Sequence, residues 1–309
     1  MWPVPLLHLS VFSHRARLLR AAVSCAVLLG LAGYLAAQLV TGGVGPPRCV
    51  VRAGGVQVRL SPEQTVNAAT IEAVAASRGL PERAVTIALA TALQESGLRN
   101  IRHGDRDSQG LFQQRPSQGW GSVRQIRDPV YSAGQFYDDL VRMPGYSRLP
   151  LTVAAQRVQR SGFPQAYAKH ETEAVVLTGA LSGRSGAALS CPGPPDDGEA
   201  GDPVRVRAAL KREFGDETEA RPDLAGHGGG QQAAPSPHAV LVPVPKATAP
   251  GRAGQRGWEI AHWAVAHSDE LRIERVSYGG HEWNARNSGA GWRPAEGISG
   301  TEVRIDTMR

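Results

Sequence analysis

The chain has 309 residues, 41% of them apolar, enough for two modest globular parts. Its 36 glycines and 22 prolines imply long stretches without regular structure. A net charge of +6, with arginine far outnumbering lysine, suits an anionic polymer. No helix-turn-helix, zinc-finger or aromatic RNA-binding pattern accompanies that charge, so no nucleic-acid partner is expected.

At the N-terminus, His14, Arg15, Arg17 and Arg20 precede an uncharged run from Ala21 to Val40. A run of about 20 such residues has the length of a bilayer-spanning helix, and the arginines place residues 1–20 on the cytoplasmic side. Residues 21–40 therefore read as an uncleaved transmembrane signal anchor, with a cleaved signal peptide as the alternative. The expected location is the cell membrane, single-pass, with the rest of the chain outside. Cys25 lies in the run and reads as a small hydrophobe.

A Gly/Pro linker over residues 41–47 leads to an extended segment, Cys49 to Leu60, with a hairpin at Gly54-Gly55. Ser61, Pro62 and Gln64 then form a capping box with proline at the first helical position. That helix runs through Ile71 and Val74 and stops before Gly79. Pro81 opens the next helix, which carries Glu95 in its last turn and stops at Gly97. Counting back from Glu95 by helical spacing finds Ala92, Thr91, Ala88 and Ala84, a face of small residues. A carboxyl on such a face is predicted to be partly desolvated, which raises its pKa into the range of a general acid.

A polar, basic loop from Leu98 leads to Ser108-Gln-Gly110-Leu-Phe112-Gln113-Gln114. Asp128-Pro129 starts a helix ending near Met143, Thr152 caps a short one, and Phe163-Pro164 leads into a longer one through Tyr167 to Leu181. Residues 192–255 read as Pro/Gly-rich linker, with one possible amphipathic helix over Pro203 to Phe214. In 256–309, Trp258 to Ala266 has helical spacing. Ile273–Tyr278, Glu282–Asn284 and Thr301–Ile305 read as strands.

Gln94-Glu95-Ser96-Gly97-Leu98 followed by Ser108-x-Gly110-Leu111-Phe112-Gln113 resembles the signature of lysozyme-like cell-wall enzymes, closest in pattern to soluble lytic transglycosylases and goose-type lysozymes. The resemblance covers roughly Ser61 to Leu181. It implies that Glu95 is the catalytic acid and that the Gly-Leu-Phe-Gln stretch lines a sugar groove. Where these relatives carry Ala-x-Ala-Tyr-Asn, this chain reads Gln159-Arg-Ser161-Gly-Phe163-Pro-Gln-Ala166-Tyr167. The asparagine is missing, and Tyr167 is the substitute candidate. Amides and an aromatic ring near the acid suit sugars, so Ser108, Gln113, Gln114, Trp120 and Tyr167 are the candidate substrate-binding residues. A hydrolase needs a second carboxylate, for which Asp105 and Asp107 are the candidates. In transglycosylases the substrate's own groups replace it.

Cys49 and Cys191 bracket this stretch, and in an oxidising space they are expected to form a disulfide. The C-terminal part looks like a short domain appended to actinobacterial secreted wall hydrolases. Those forms often end in a His-x-His metal pair, and here the strand Glu302-Val303-Arg304-Ile305 has no histidine. A zinc site from His262, His267 and His281 is not expected, and neither is any other metal or cofactor. The fold class expected is mainly α: a lysozyme-like helical domain over 49–191 after an N-terminal transmembrane helix, with a small C-terminal α/β module over 256–309. The function expected is extracytoplasmic cleavage of peptidoglycan glycan strands, with the membrane as a second partner through the N-terminal helix. A non-catalytic wall-binding or scaffold protein on the same fold is the alternative.

Overall fold

The computed structural model describes residues 9–40, 46–161, 163–216, 218–223, 236–245 and 254–309. The chain divides into two units, residues 1–47 and 48–309. In the first, α1 (Leu9–Val40) is a single helix of 32 residues. Among the described residues, no helix is long and apolar enough to cross a membrane. The transmembrane anchor expected over Ala21–Val40 is corrected accordingly. Arginines occupy the N-terminal half of α1, and Ser24, Gly30, Gly33 and Gln38 interrupt its leucines and valines.

In the second unit, β1 (Cys49–Ala53) and β2 (Val56–Leu60) form the expected hairpin. The capping box at Ser61 opens α2 (Pro62–Ser77): the Gln64 amide N–H donates to Ser61 Oγ, and the Ser61 N–H donates to Gln64 Oε1. Then come α3 (Glu82–Ser96), α4 (Val123–Ile126), α5 (Pro129–Val141) and α6 (Leu151–Gln159). The segment expected as one helix from Phe163 is two: a 3-10 helix over Pro164–His170, then α7 (Glu171–Leu181). The strand β3 (Leu189–Ser190) returns to β1 with Val50 opposite Ser190. That register sets Cys49 opposite Cys191, and the two are joined by a disulfide spanning 142 residues of chain.

The remainder is α8 (Pro203–Phe214), β4 (Arg221–Asp223), β5 (Ser236–Pro243), α9 (Gln255–Ala266), α10 (Ser268–Leu271), β6 (Ile273–Tyr278), β7 (His281–Asn284), β8 (Arg293–Pro294) and β9 (Glu302–Thr307). Two antiparallel sheets, one of three strands and one of six, correct the expectation of a mainly α protein with a small α/β module. The larger sheet runs β4-β5-β9-β6-β7-β8, so it draws two strands from the stretch read as linker. Ala239 to Val242 of β5 are all buried, which is why that short apolar run behaves as an interior strand.

This second half packs on the helical half through α9. His262 is buried, with Nε2 accepting from the Ala188 N–H at 3.0 Å and Nδ1 2.8 Å from the Ala180 carbonyl. Burial holds the ring neutral, with its pKa down at about 4. Trp292 Nε1–H donates to Leu189 O and Trp283 Nε1–H to Ser190 Oγ, so two indoles bond the short β3 segment.

Closing a loop of this length contributes on the order of 5 kcal/mol in the chain-entropy view. Replacing Cys49 and Cys191 together by alanine is expected to lower unfolding stability by about 2–5 kcal/mol. Urea titration checks this, and an unshifted midpoint would show that β1–β3 pairing holds the termini of the domain without the bond.

Candidate active site

The face of α3 predicted from spacing is the buried one: Ala84, Ala88, Thr91 and Ala92 are all at 0% exposure. Glu95 follows one turn later, half-buried, and Gly97 ends the helix in the left-handed region at φ 62°. Gly97 donates to Leu93 O and Leu98 to Ala92 O, so the chain turns back under the acid at once.

Ser96 ties the second motif to the first. Its Oγ lies 3.0 Å from Ala92 O and 2.7 Å from Leu111 O, so it reaches the Ser108–Gln114 turn from the end of α3. The turn is closed on itself by Gln109 and Gln114, whose backbones exchange hydrogen bonds of 2.9 and 3.1 Å. Gly110 sits at φ 74°, where a Cβ would come within 2.7 Å of Ile126 O, so only glycine fits. Phe112 is buried and stacks on Phe136 at 4.7 Å between ring centroids.

The other wall comes from the corner after α6. Arg160 closes that helix in the left-handed region, and the chain then turns through Ser161 to Tyr167. Tyr167 Oη donates to Glu95 Oε1 at 2.7 Å. Gln159 also bonds the Glu95 carboxyl, and its Nε2 donates to Phe112 O at 2.7 Å. One amide thus touches both motifs. Burial raises the Glu95 pKa, and the hydrogen bonds from Tyr167 and Gln159 partly oppose the rise. The Tyr167 phenol is pushed up by burial, by the Glu95 charge and by its bond to Glu95, with an opposing bond from Ser161. It stays a donor.

The remaining candidates separate. Asp107 is bound by Arg115 Nε at 2.8 Å, by the Ser117 amide at 2.8 Å and by Ser117 Oγ at 3.0 Å. The Arg115 bond and then the Ser117 bonds hold its carboxyl well below the usual range. Asp105 is exposed on the loop. Neither aspartate is among the groups that shift Glu95. Ser108 is buried, its amide bonded to Asp105 O. Gln114 is buried too and donates to Ser132 O at 3.1 Å, which fastens the turn to α5. Gln113 is half-buried, at φ 48°, with Nε2 on Gly110 O. Trp120 is partly buried against the core. Phe163, in contrast, is 78% exposed four residues before Tyr167.

Sequence reasoning missed Gln159 as a site residue. The signal was present: Gln159 lies four residues after Ala155, on the buried stripe of α6 that also holds Leu151, Ala154 and Val158. It is a polar side chain on an apolar face, as Glu95 is. The three histidines do not meet at a metal site. His262 is occupied by backbone, His267 faces Glu213 at 3.4 Å, and His281 Nδ1 lies 3.0 Å from Gly279 O. Among the described residues, no group of three or more His, Cys, Asp or Glu side chains is placed to hold a metal ion.

Residues 202–303 match the family model described as VldE, C-terminal domain, a stretch lying wholly after the Glu95 site. A comparison with curated proteins finds no match.

Tyr167→Phe removes a bond that favours the ionised carboxyl, so the Glu95 pKa should rise further above its ordinary value. Carbon-detected NMR titration of the glutamate carboxyls measures this, and a midpoint that stays put or falls would mean that Tyr167 does not hold the acid.

Proposed function

We propose that this protein cleaves the glycan strands of peptidoglycan, with Glu95 as the single acid–base group and a lytic transglycosylase outcome. The observation that carries the reading is the carboxyl of Glu95, half out of water, bonded by two neutral donors and, among the described residues, shifted by no second carboxylate. The resemblance of the Glu-Ser and Gly-Leu-Phe-Gln motifs supplies the substrate class.

The chemistry follows from the hydrogen bonds. Tyr167 donates to Oε1 and Gln159 bonds the same carboxyl, so both partners hold Glu95 in place while its acid proton is offered to a substrate. Glu95 donates it to the glycosidic oxygen as the bond to the anomeric carbon breaks and an oxocarbenium-like state forms. The Glu95 carboxylate, then stabilised by Tyr167 and Gln159, removes the proton of the sugar's own 6-hydroxyl. That oxygen closes on the anomeric carbon to give a 1,6-anhydro product, and Glu95 regains its starting proton. Asp107 is committed to Arg115 and Ser117, which supports this route over one that needs a general base for water. The exposed ring of Phe163 is suited to stack on a pyranose face. The Cys49–Cys191 disulfide supports action outside the cytoplasm.

Glu95→Gln keeps shape and removes the transferable proton, so cleavage of purified wall should fall by about 10²–10⁴-fold while the fold is retained. Asp105→Asn should cleave at nearly the native rate, and the native products should carry anhydro rather than reducing ends by mass. Undiminished cleavage by folded Glu95→Gln would place the chemistry elsewhere, and reducing ends would replace the transglycosylase outcome by hydrolysis.

A further inference from the structure

The groove that carries Glu95 is edged by positive charge on two sides. On one side, the loop after α3 is tied to the Gly-Leu-Phe-Gln turn. The Gly110 N–H donates to Ile101 O at 2.8 Å, and the Ser108 N–H donates to Asp105 O at 3.1 Å. Gly104 presses so closely on the Gln113 side chain that a Cβ there would overlap Gln113 Oε1. Arg102 and Arg106, carried by this loop, are exposed. On the other side, Arg160 directly follows Gln159, which bonds the Glu95 carboxyl, and Lys169 lies two residues after Tyr167. Both are exposed. None of these four cations has a carboxylate partner among the described residues.

The acids around them are committed elsewhere. Asp107 is paired with Arg115, Asp128 with Arg212 and Glu171 with Arg83. Glu63 accepts from the Asn100 N–H at 3.2 Å. From Leu140 to His170 the sequence contains no acid at all. Asp105 is the one carboxylate of the loop without a partner among the described residues, and it stands against four cations. Of the chain's acids, Glu217 alone lies outside the described residues, and its neighbour Asp216 is held by Lys211 of α8. Backbone strain is concentrated at the same groove. Six described non-glycine residues have positive φ, and Leu98, Arg106, Gln113 and Arg160 are four of them. Left-handed backbone is costly for arginine, so a fold that keeps it at φ 57° and 51° fixes where Arg106 and Arg160 leave the chain.

We propose that this rim holds the carboxylates of the peptides that hang from the glycan strand, so that the protein selects strands bearing acidic stems over bare sugar. The inference rests on reading the Glu95 groove as a glycan site. A guanidinium offers two parallel N–H donors to a carboxylate. Cations on both sides of the groove suit separate carboxylates along a strand better than one compact anion. The contacts are open to solvent, so salt screens them, over about 10 Å at 0.1 M.

The test is co-sedimentation of the full chain, in the cold, with purified wall stripped of its phosphate polymers, before and after the wall carboxyls are capped as amides. Capped wall should bind at least ~10-fold more weakly, and binding to uncapped wall should fall several-fold between low and ~0.5 M salt. Arg102→Gln with Arg106→Gln, and separately Arg160→Gln with Lys169→Gln, should each weaken binding to uncapped wall at least ~3-fold. Binding of these variants to capped wall should match that of the native protein. Equal binding of native protein to capped and uncapped wall would overturn the proposal, as would variants that lose equally on both or on neither. Binding only to wall that keeps its phosphate polymers would overturn it too, with phosphate diesters as the anion. Cleavage is read separately by product mass, so the two failures are distinct. The expected binding pattern without cleavage would remove the glycosidase reading and keep the rim, and cleavage without the pattern would do the reverse.

Discussion

A carboxyl taken half out of water must find donors, and the donors of Glu95 come from far along the chain. Tyr167 is 72 residues away and reaches Glu95 Oε1 at 2.7 Å. This bond sets the position of everything around the acid, because the same corner delivers Gln159, whose amide also holds the Phe112 carbonyl. Ser96 grips the neighbouring carbonyl, Leu111 O, from the opposite side. The turn carrying Gly-Leu-Phe-Gln is therefore suspended between α3 and α6 by side chains that flank the acid. A shift of the α6 corner would move the acid's donor and the turn together. Pre-organisation of this kind is what a single acid–base group requires if it is to be used twice in one cycle.

The second half of the chain is stitched to the helical half by buried polar contacts rather than by apolar packing alone. His262 spans Ala180 O and Ala188 N, so its tautomer is fixed by backbone on both sides. Trp263 donates to Glu213, which in turn faces His267. Burial opposes the charge on both members of that pair. The mutual attraction prevails, lowering the Glu213 pKa and raising that of His267. Each such contact has one acceptable register, and a sliding interface would leave several buried groups unsatisfied. The cavity lined by Glu72 and Glu259 is part of the same seam, so acids from two different helices come together in it.

Much of the helical part was legible because its signals are local. The capping box at Ser61, the stop at Gly97 and the Asp128–Pro129 start are chemical requirements of helix ends, and each was met within a residue or two. The small-residue face of α3 was readable by spacing, and with it the raised Glu95. The fold's β content was not. β5 is flanked by prolines and its pairing partner β9 lies some sixty residues later, so nothing near Ser236–Pro243 announces a central strand. Long-range pairing also defeated the reading of residues 192–255 as linker. For the aspartates, sequence supplied proximity without partners: Asp107 looked available until Arg115 and Ser117 were found on it. The uncharged run in α1 was read by length and composition, and the finding about spans among the described residues corrected it.

Glu95 and Glu72 are both glutamates with raised pKa values, and their surroundings give them different capacities. Desolvation is the leading cause at each, so burial alone does not single out a catalytic acid. What separates them is the fate of the proton. At Glu95 the two partners are neutral donors, which support the charged form that remains once the proton has left. At Glu72 the neighbour is a second buried carboxyl, Glu259, whose charge raises the Glu72 pKa beyond what burial does. The first arrangement suits transfer of a proton during a reaction, and the second opposes ionisation of its carboxyl.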